Sequence, residues 1–189
     1  KMIYISTDYV FDGTSGVPYR EEFPVNPQTV YGRTKVASEE DIVASGCRYI
    51  IFRTSWLYSV EGNNFVKSMI NLTAEKPVLK VVFDQVGTPT FADDLADLIC
   101  HIIEEDKLDR TGLYHYSNEG VCSWYDFAVE IMEKSGLKCV VNPIKSEDYP
   151  TCAKRPYYSV LDKSKIQKTF NYIKIAHWKQ ALDKCLKQL

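Results

Sequence analysis

The chain predicts an α/β fold built on a parallel sheet, and three observations carry that expectation. Short runs rich in Ile, Val and Phe alternate with longer helical patterns along the whole length. The helical patterns carry their own stop and start residues, as at Ser123 and Gly136. Polar residues with chemical capability stand just past the ends of two apolar runs, at Thr7 and Trp56, where ligands gather in open α/β sheets.

Met2-Ile3-Tyr4-Ile5 reads as a buried strand that delivers the Thr7 hydroxyl from its C-terminal end. A loop rich in Gly, Pro and charge follows over residues 12–28, and a loop of that length in a small domain is usually functional. A helix is expected from Tyr31 to Ala44, closed by Ser45-Gly46 in the manner of a C-cap. Residues 48–52 form a second buried strand ending at Arg53-Thr54-Ser55-Trp56. Residues 64–74 read as helix and 78–82 as a short strand. Thr90 is placed to N-cap a helix over 91–105, with Asp93 at the capping-box position. Residues 112–116 form a strand, Ser123 caps a helix over 124–134 that Gly136 terminates, and 139–141 are extended. The tail closes with an amphipathic helix over 177–188, with Trp178, Ala181, Leu182 and Cys185 on one stripe.

Composition narrows the class. Of 189 residues, 45% are hydrophobic and 25% charged, which supplies a core and gives no signature of disorder. A formal net charge of -2 without a long basic stretch leaves a nucleic-acid surface unsupported. Six cysteines without a C-x-x-C pair, Cys152 among them, read as reduced core thiols of a cytoplasmic protein. No apolar run approaches the roughly 20 residues of a membrane helix, and the start lacks a signal-peptide pattern. His101, His115 and His177 have no metal-ligand spacing and are assigned to packing or surface, so no protein metal site is expected. Glu21-Glu22 and Asp93-Asp94 read as solvated charges.

The densest chemical signal is Tyr31-Gly32-Arg33-Thr34-Lys35. Residues at i and i+4 share one helix face, with Cβ atoms roughly 5–6 Å apart. An ammonium at that spacing favours the phenolate, drawing a phenol of reference pKa about 10 toward neutrality. With the Thr7 hydroxyl, this makes a proton-transfer site for a carbonyl or an alcohol: Tyr31 the acid, Lys35 its tuner, Thr7 a donor to the same oxygen. Ser6 and Ser55 have no histidine partner, which argues against a hydrolase triad. Trp56 is either a stacking platform for a ring or a core tryptophan, and Asp8 either a ligand contact or a loop cap.

The ordered set Ser6-Thr7-Asp8-Tyr9-Val10-Phe11-Asp12-Gly13, Pro18-Tyr19-Arg20-Glu21-Glu22, Asn26-Pro27, Tyr31-x-x-x-Lys35, Arg53-Thr54-Ser55-Trp56-Leu57-Tyr58, Phe83-Asp84-Gln85-Val86-Gly87-Thr88-Pro89-Thr90 and Ala153-Lys154-Arg155-Pro156 resembles the dTDP-4-dehydrorhamnose reductases. These are extended short-chain dehydrogenase/reductases, and the likeness covers nearly the whole chain. The resemblance implies the C-terminal portion of a Rossmann-like, doubly wound parallel sheet with a small α/β substrate-binding lobe. Residues 1–58 would form the second part of the dinucleotide-binding fold, and 59–189 the remaining sheet elements interleaved with the sugar-nucleotide lobe.

It also implies reduction of dTDP-4-dehydro-L-rhamnose to dTDP-L-rhamnose with NADPH or NADH. Tyr31 and Lys35 would meet the cofactor, and Asp8, Tyr9, Trp56, Asn63, Asn64, Gln85 and Arg155 would meet the dTDP-sugar. Arg155 is the strongest diphosphate candidate because a guanidinium fork matches phosphate geometry. The likeness leaves room for Mg²⁺ and for a homodimer. Related 4,6-dehydratases carry Thr-Asp-Glu where this chain has Thr7-Asp8-Tyr9, so reduction without elimination is favoured. The regulatory β subunit of methionine adenosyltransferase shares the Asp-Tyr-Val-Phe-Asp-Gly and Tyr-x-x-x-Lys segments, which leaves a non-catalytic binding role as the alternative.

One family feature is missing. No Gly-rich turn between a strand and a helix cradles a pyrophosphate, since Gly13-Thr14-Ser15-Gly16 precedes Pro18 and reads as a turn. With Lys1 where an initiator Met would stand, about one hundred residues of a longer parent are expected to be absent, close to one domain's usual size. Such a piece would hold catalytic side chains beside an incomplete cofactor site and be inactive alone.

Overall fold

A computed structural model describes residues 1–149, 151, 153, 155–171 and 173–189. In chain order its elements are β1 (Met2–Thr7), a 3-10 turn (Asp8–Val10), α1 (Val30–Ala44), β2 (Tyr49–Thr54), β3 (Leu57–Tyr58) and α2 (Phe65–Glu75). Then come β4 (Val78–Val82), β5 (Val86–Gly87), β6 (Thr90–Phe91), α3 (Ala92–Glu104), β7 (Gly112–His115), β8 (Cys122–Ser123) and α4 (Trp124–Ser135). β9 (Val140–Ile144), a second 3-10 turn (Ser146–Asp148), α5 (Ser164–Thr169) and α6 (Trp178–Leu186) complete it.

The expected α/β class with a parallel sheet is what forms. Strands β1, β2 and β7 lie side by side in that order, all parallel, with Thr7 opposite Thr54 and Arg53 opposite His115. A parallel pair β4–β9 makes a separate small sheet, reached when the chain leaves the main sheet after β2 and again after β7. Two apolar cores follow this division, and a third cluster of Val10, Phe11, Tyr19 and Leu161 lies beside the 3-10 turn. Phe52, Leu98, Ile102, Tyr114, Ile166 and Phe170 pack beneath the main sheet. Tyr58, Val66, Phe91, Phe127, Ile131 and Leu182 join α2, α4 and α6 to the small sheet.

Local rules account for most helix boundaries. Thr29 caps α1 by accepting from the Gly32 amide, and Asn64 caps α2 by accepting from Lys67. Ser123 and Asp126 form the full capping box of α4, and Gly136 ends it at φ 65. Helix α3 departs from expectation: Thr90 is a buried strand residue whose hydroxyl accepts from Thr54, and Phe91 stands at the N-cap with no side-chain bond. The cap is supplied from afar, because the buried Asn118 Oδ1 accepts from the Phe91 amide at 2.8 Å while its Nδ2 donates to Asp94 at 2.7 Å.

Several sequence expectations are corrected. β1 is only half-buried over Ile3–Ile5 because, among the described residues, it pairs on one side alone. Glu21 is not a solvated charge: its Oε1 accepts from the His115 amide at 2.8 Å. Asp94 likewise is bound by Asn118 and by Lys184 at 2.9 Å. The described cysteines are free thiols, yet only Cys122 and Cys185 are buried, while Cys100 is exposed; Cys152 lies outside the described residues. The six-residue α5 was too short for the helical period to register.

Helix α1 is docked unusually. It fully buries only Gly32, Glu39 and Ile42, so a polar anchor and a close backbone approach replace the customary apolar stripe. A Cβ built on Gly32 would overlap the Tyr9 carbonyl oxygen and stand 2.9 Å from Pro27 Cβ. Gly32→Ala would gain about 1 kcal/mol of helix propensity on an open surface. Here overpacking against backbone, typically about 1–3 kcal/mol, reverses the sign. Urea unfolding should show Gly32→Ala less stable than wild type. Gly16→Ala, where nothing lies within 4 Å, should fall within about 0.5 kcal/mol of it.

Candidate active-site cleft

The cleft opens where β1 and β2 end side by side. Thr7, the last residue of β1, is buried and caps the 3-10 turn: its Oγ1 accepts from the Tyr9 amide at 3.2 Å and donates to Asp8 Oδ1 at 3.0 Å. The turn brings the Tyr9 ring to 5.9 Å from the Tyr31 ring, edge to face at 74°. Tyr31, in the first turn of α1, is 53% exposed and stands at the cleft wall. Lys35 follows one turn later. Its Nζ donates to the Ile5 carbonyl at 2.8 Å and lies 5.9 Å from the Tyr31 ring centroid. One ammonium proton is thereby committed to β1, leaving the others free to face the cleft.

Trp56 forms the opposite wall. It sits at φ 48, a left-handed conformation rare for a bulky residue and of a kind that concentrates at ligand sites. Its indole stacks on Trp124 with centroids 3.6 Å apart and planes at 8°. A Cβ on Gly87 would come within 2.7 Å of Trp56 Cε2, so a bare glycine makes room for the ring. The two sequence readings of Trp56 are therefore not exclusive: it packs on Trp124 at the edge of the lobe core and also lines the cleft.

Thr7, Asp8, Tyr9, Tyr31, Lys35 and Trp56 all border one cavity of about 530 Å³, together with Trp124 and Arg155. Trp124 and Arg155 also border a second cavity of about 260 Å³, lined by Phe65, Met69, Leu72 and Gln85. The two cavities thus share an indole and an arginine, the first carrying the hydroxyl, carboxyl and ammonium groups and the second the Phe65, Met69 and Leu72 side chains. Gln85 is buried and donates to Ser146 at 2.9 Å. Asn64 caps α2 and borders neither cavity, and Asn63 is exposed beside it. Lys154 of the sequence motif lies outside the described residues. The sequence marks Trp124 only as a helix start, because nothing local shows which side of α4 faces Trp56.

The charges are uneven. Burial pushes the Asp8 carboxyl up to about 6, against opposing hydrogen bonds from Thr7 and Ser159. Its Oδ2 has no partner among the described residues. Burial, then the Asp8 charge, raises the Tyr9 phenol, while Arg155 pulls it the other way. No group of three or more His, Cys, Asp or Glu among the described residues could hold a metal, so Mg²⁺ gains no support. No helix among them is long and apolar enough to cross a membrane.

Comparison with known proteins follows the same lines. A family model described as the RmlD substrate binding domain matches residues 1–189. The spore coat polysaccharide biosynthesis protein SpsK of Bacillus subtilis (strain 168) is 42% identical over 98% of this chain and 64% of its own length. A crystal structure of a dTDP-4-dehydrorhamnose reductase from Clostridium acetobutylicum superposes with TM-score 0.93 at 46% identity, covering 98% of this chain and 65% of that one. That of the Bacillus anthracis dTDP-4-dehydrorhamnose reductase in complex with NADP gives TM-score 0.93 at 37% identity, over 99% and 65%. The chain thus spans just under two thirds of the length of each of these relatives.

The Asp8 environment yields a stability prediction. A carboxyl raised from 3.8 to about 6 is protonated more in the folded than the unfolded state between those values. Its burden on stability is therefore absent below pH 3.8 and complete above about 6, on the order of 3 kcal/mol. His115 acts in the opposite sense: burial, then Arg53, pushes it down to about 3, so its neutral burial costs stability as pH falls below 6.5. The two effects mask each other in a single melting curve. Asp8→Asn should melt above wild type at pH 7.5, and the gap should close by pH 4; a gap that is constant with pH would refute the raised carboxyl.

Proposed function

The chain belongs to the RmlD substrate binding domain family, and from that premise we propose that its cleft serves the reduction of a 4-keto nucleotide sugar, dTDP-4-dehydro-L-rhamnose, to dTDP-L-rhamnose. The observation that carries this reading is the convergence of Thr7, Tyr31, Lys35 and Trp56 on one cavity that continues past Arg155 into an apolar recess. A sugar ring suits the part beside Thr7, Tyr31 and Lys35, a diphosphate the arginine, and a thymine base the recess lined by Phe65, Met69 and Leu72.

A nicotinamide dinucleotide, NADPH or NADH, supplies the hydride when bound; the donors that suit its ribose are the Tyr31 hydroxyl and the uncommitted protons of Lys35. As hydride reaches the carbonyl carbon, the C=O π pair moves onto oxygen, and the Tyr31 hydroxyl delivers a proton to that oxygen. The positive charge of Lys35 stabilises the phenolate left behind. Thr7 commits its one hydroxyl proton to Asp8 Oδ1 and accepts from the Tyr9 amide, so while Asp8 is ionised it fixes the turn beside the reacting oxygen and does not itself donate to that oxygen. Tyr9 in place of a second carboxyl leaves no acid pair to expel water, which supports reduction without elimination.

Consumption of NADPH in the presence of dTDP-4-dehydro-L-rhamnose, with dTDP-L-rhamnose identified as product, tests the reading when this chain is carried in a longer protein with a complete dinucleotide site. Tyr31→Phe should lower turnover by about 10²–10⁴-fold, the range for a positioned acid, while calorimetry shows dTDP affinity within about twofold of wild type, since the phenol lies outside the base and phosphate regions. Near-normal turnover by Tyr31→Phe would remove Tyr31 as the acid. Absence of both dTDP binding and reduction in wild type would remove the whole reading.

A further inference from the structure

We infer that Glu39 and Arg53, which border neither cavity, are positioning residues that set where the Tyr31 hydroxyl stands in the cleft, an inference that rests on the reduction proposed above. Tyr31, Lys35 and Glu39 recur every four residues and so run down one stripe of α1. Each meets the strand-and-turn segment beneath it: Tyr31 the Tyr9 ring, Lys35 the Ile5 carbonyl, Glu39 the Ser6 hydroxyl, which donates to its Oε1. Glu39 then receives Arg53 of β2 through two guanidinium nitrogens, Nε at 3.0 Å and Nη2 at 2.6 Å.

The three members of this anchor sit next to cleft residues. Ser6 precedes Thr7 and itself borders the cleft, Arg53 precedes Thr54-Ser55-Trp56, and Glu39 lies on the helix of Tyr31 and Lys35. Arg53 also places its guanidinium 5.2 Å from the Phe11 ring, just past the turn that carries Tyr9. One fork therefore ties together every element that brings a group to the reaction. Glu39 and Arg53 are 5% and 4% exposed, so water neither screens nor loosens them.

Stability alone does not explain such a pair. The desolvation of two charges largely offsets their attraction, and apolar residues of similar volume often replace a buried ion pair without loss. What apolar residues cannot reproduce is direction. A bidentate fork fixes angle as well as distance, and α1 has few other buried contacts to define its rotation and slide on β1. A misplacement of about 1 Å in a reacting group can reduce the rate by 10²-fold.

The test is the double variant Glu39→Met/Arg53→Met, which leaves neither charge buried without a partner, alongside Arg53→Lys, which keeps charge but loses the fork. Three measurements apply: kcat and KM for the dTDP-sugar, thermal melting, and the nuclear Overhauser contact between the Tyr9 and Tyr31 rings. The expected result is a cooperatively melting protein whose kcat falls about tenfold or more with KM within twofold, and whose Tyr9–Tyr31 contact weakens. Arg53→Lys should show the same split, smaller in size. Wild-type kcat, or an undiminished ring contact, in whichever variant folds would overturn the inference. The ring contact needs no turnover, so it decides the inference even if the wild-type protein reduces no sugar.

Discussion

The structure turns on the seating of one helix on one strand. α1 buries almost no apolar surface of its own, so its placement follows from a short set of directional contacts: the Gly32 backbone against Tyr9, the Lys35 ammonium on the Ile5 carbonyl, and the Glu39 carboxylate between Ser6 and Arg53. Such contacts weaken steeply with misalignment, whereas apolar packing tolerates sliding. A helix whose first turn must hold a phenol against a reacting oxygen gains from the first kind of attachment. Two apolar cores lie beneath the main sheet and around α4, and a third, of Val10, Phe11, Tyr19 and Leu161, meets α1 only through the half-buried Val36, so together they hold the frame on which the directional contacts act.

The opposite wall is built by another means. Trp56 occupies a left-handed backbone conformation, which costs of order 1–3 kcal/mol. The stack on Trp124, the space left by Gly87 and the Thr90 amide bonded to the Trp56 carbonyl at 3.1 Å together hold it there. A residue so constrained changes rotamer little when a ligand arrives, so less ordering entropy opposes binding. One wall is fixed by hydrogen bonds and charge, the other by aromatic packing, and Arg155 lines both cavities.

Much of this was legible in the sequence because the relevant rules are local. Period and caps located α1, α2, α4 and α6, and the apolar runs located β1, β2, β4 and β7. The i, i+4 spacing put Tyr31 and Lys35 on one face. Contacts between distant segments were not legible. The cap of α3 comes from Asn118, twenty-seven positions away from Phe91, and no window around Thr90 reveals it. The use of Glu21 by the His115 amide spans ninety-four positions. Trp124 looked like the first residue of a helix because only the tertiary fold turns it onto Trp56. The pairing of Glu39 with Arg53 is hidden for a related reason: a charge pair fourteen residues apart has no sequence signature until helix and strand are laid together.

The two acids of the cleft also divide by access. Tyr31 is 53% exposed, so a phenolate formed there regains its proton from water, as a group that must cycle at each turnover requires. Asp8 is 2% exposed and its Oδ1 is already engaged by Thr7. A carboxyl in that position serves better to hold the Thr7 hydroxyl than to supply the reaction. Its protonation would still matter to the cleft. Losing the negative charge at Asp8 removes one of the forces that raise the neighbouring Tyr9 phenol, and weakens the pull that holds the Thr7 proton away from an incoming oxygen. Over the range in which Asp8 titrates, near pH 6, the donor set offered to a ketone therefore shifts from one oriented hydroxyl beside a carboxylate to a hydroxyl freed to donate elsewhere. In the proposed reaction this places the ionisation of Asp8 on the acidic limb of the rate profile.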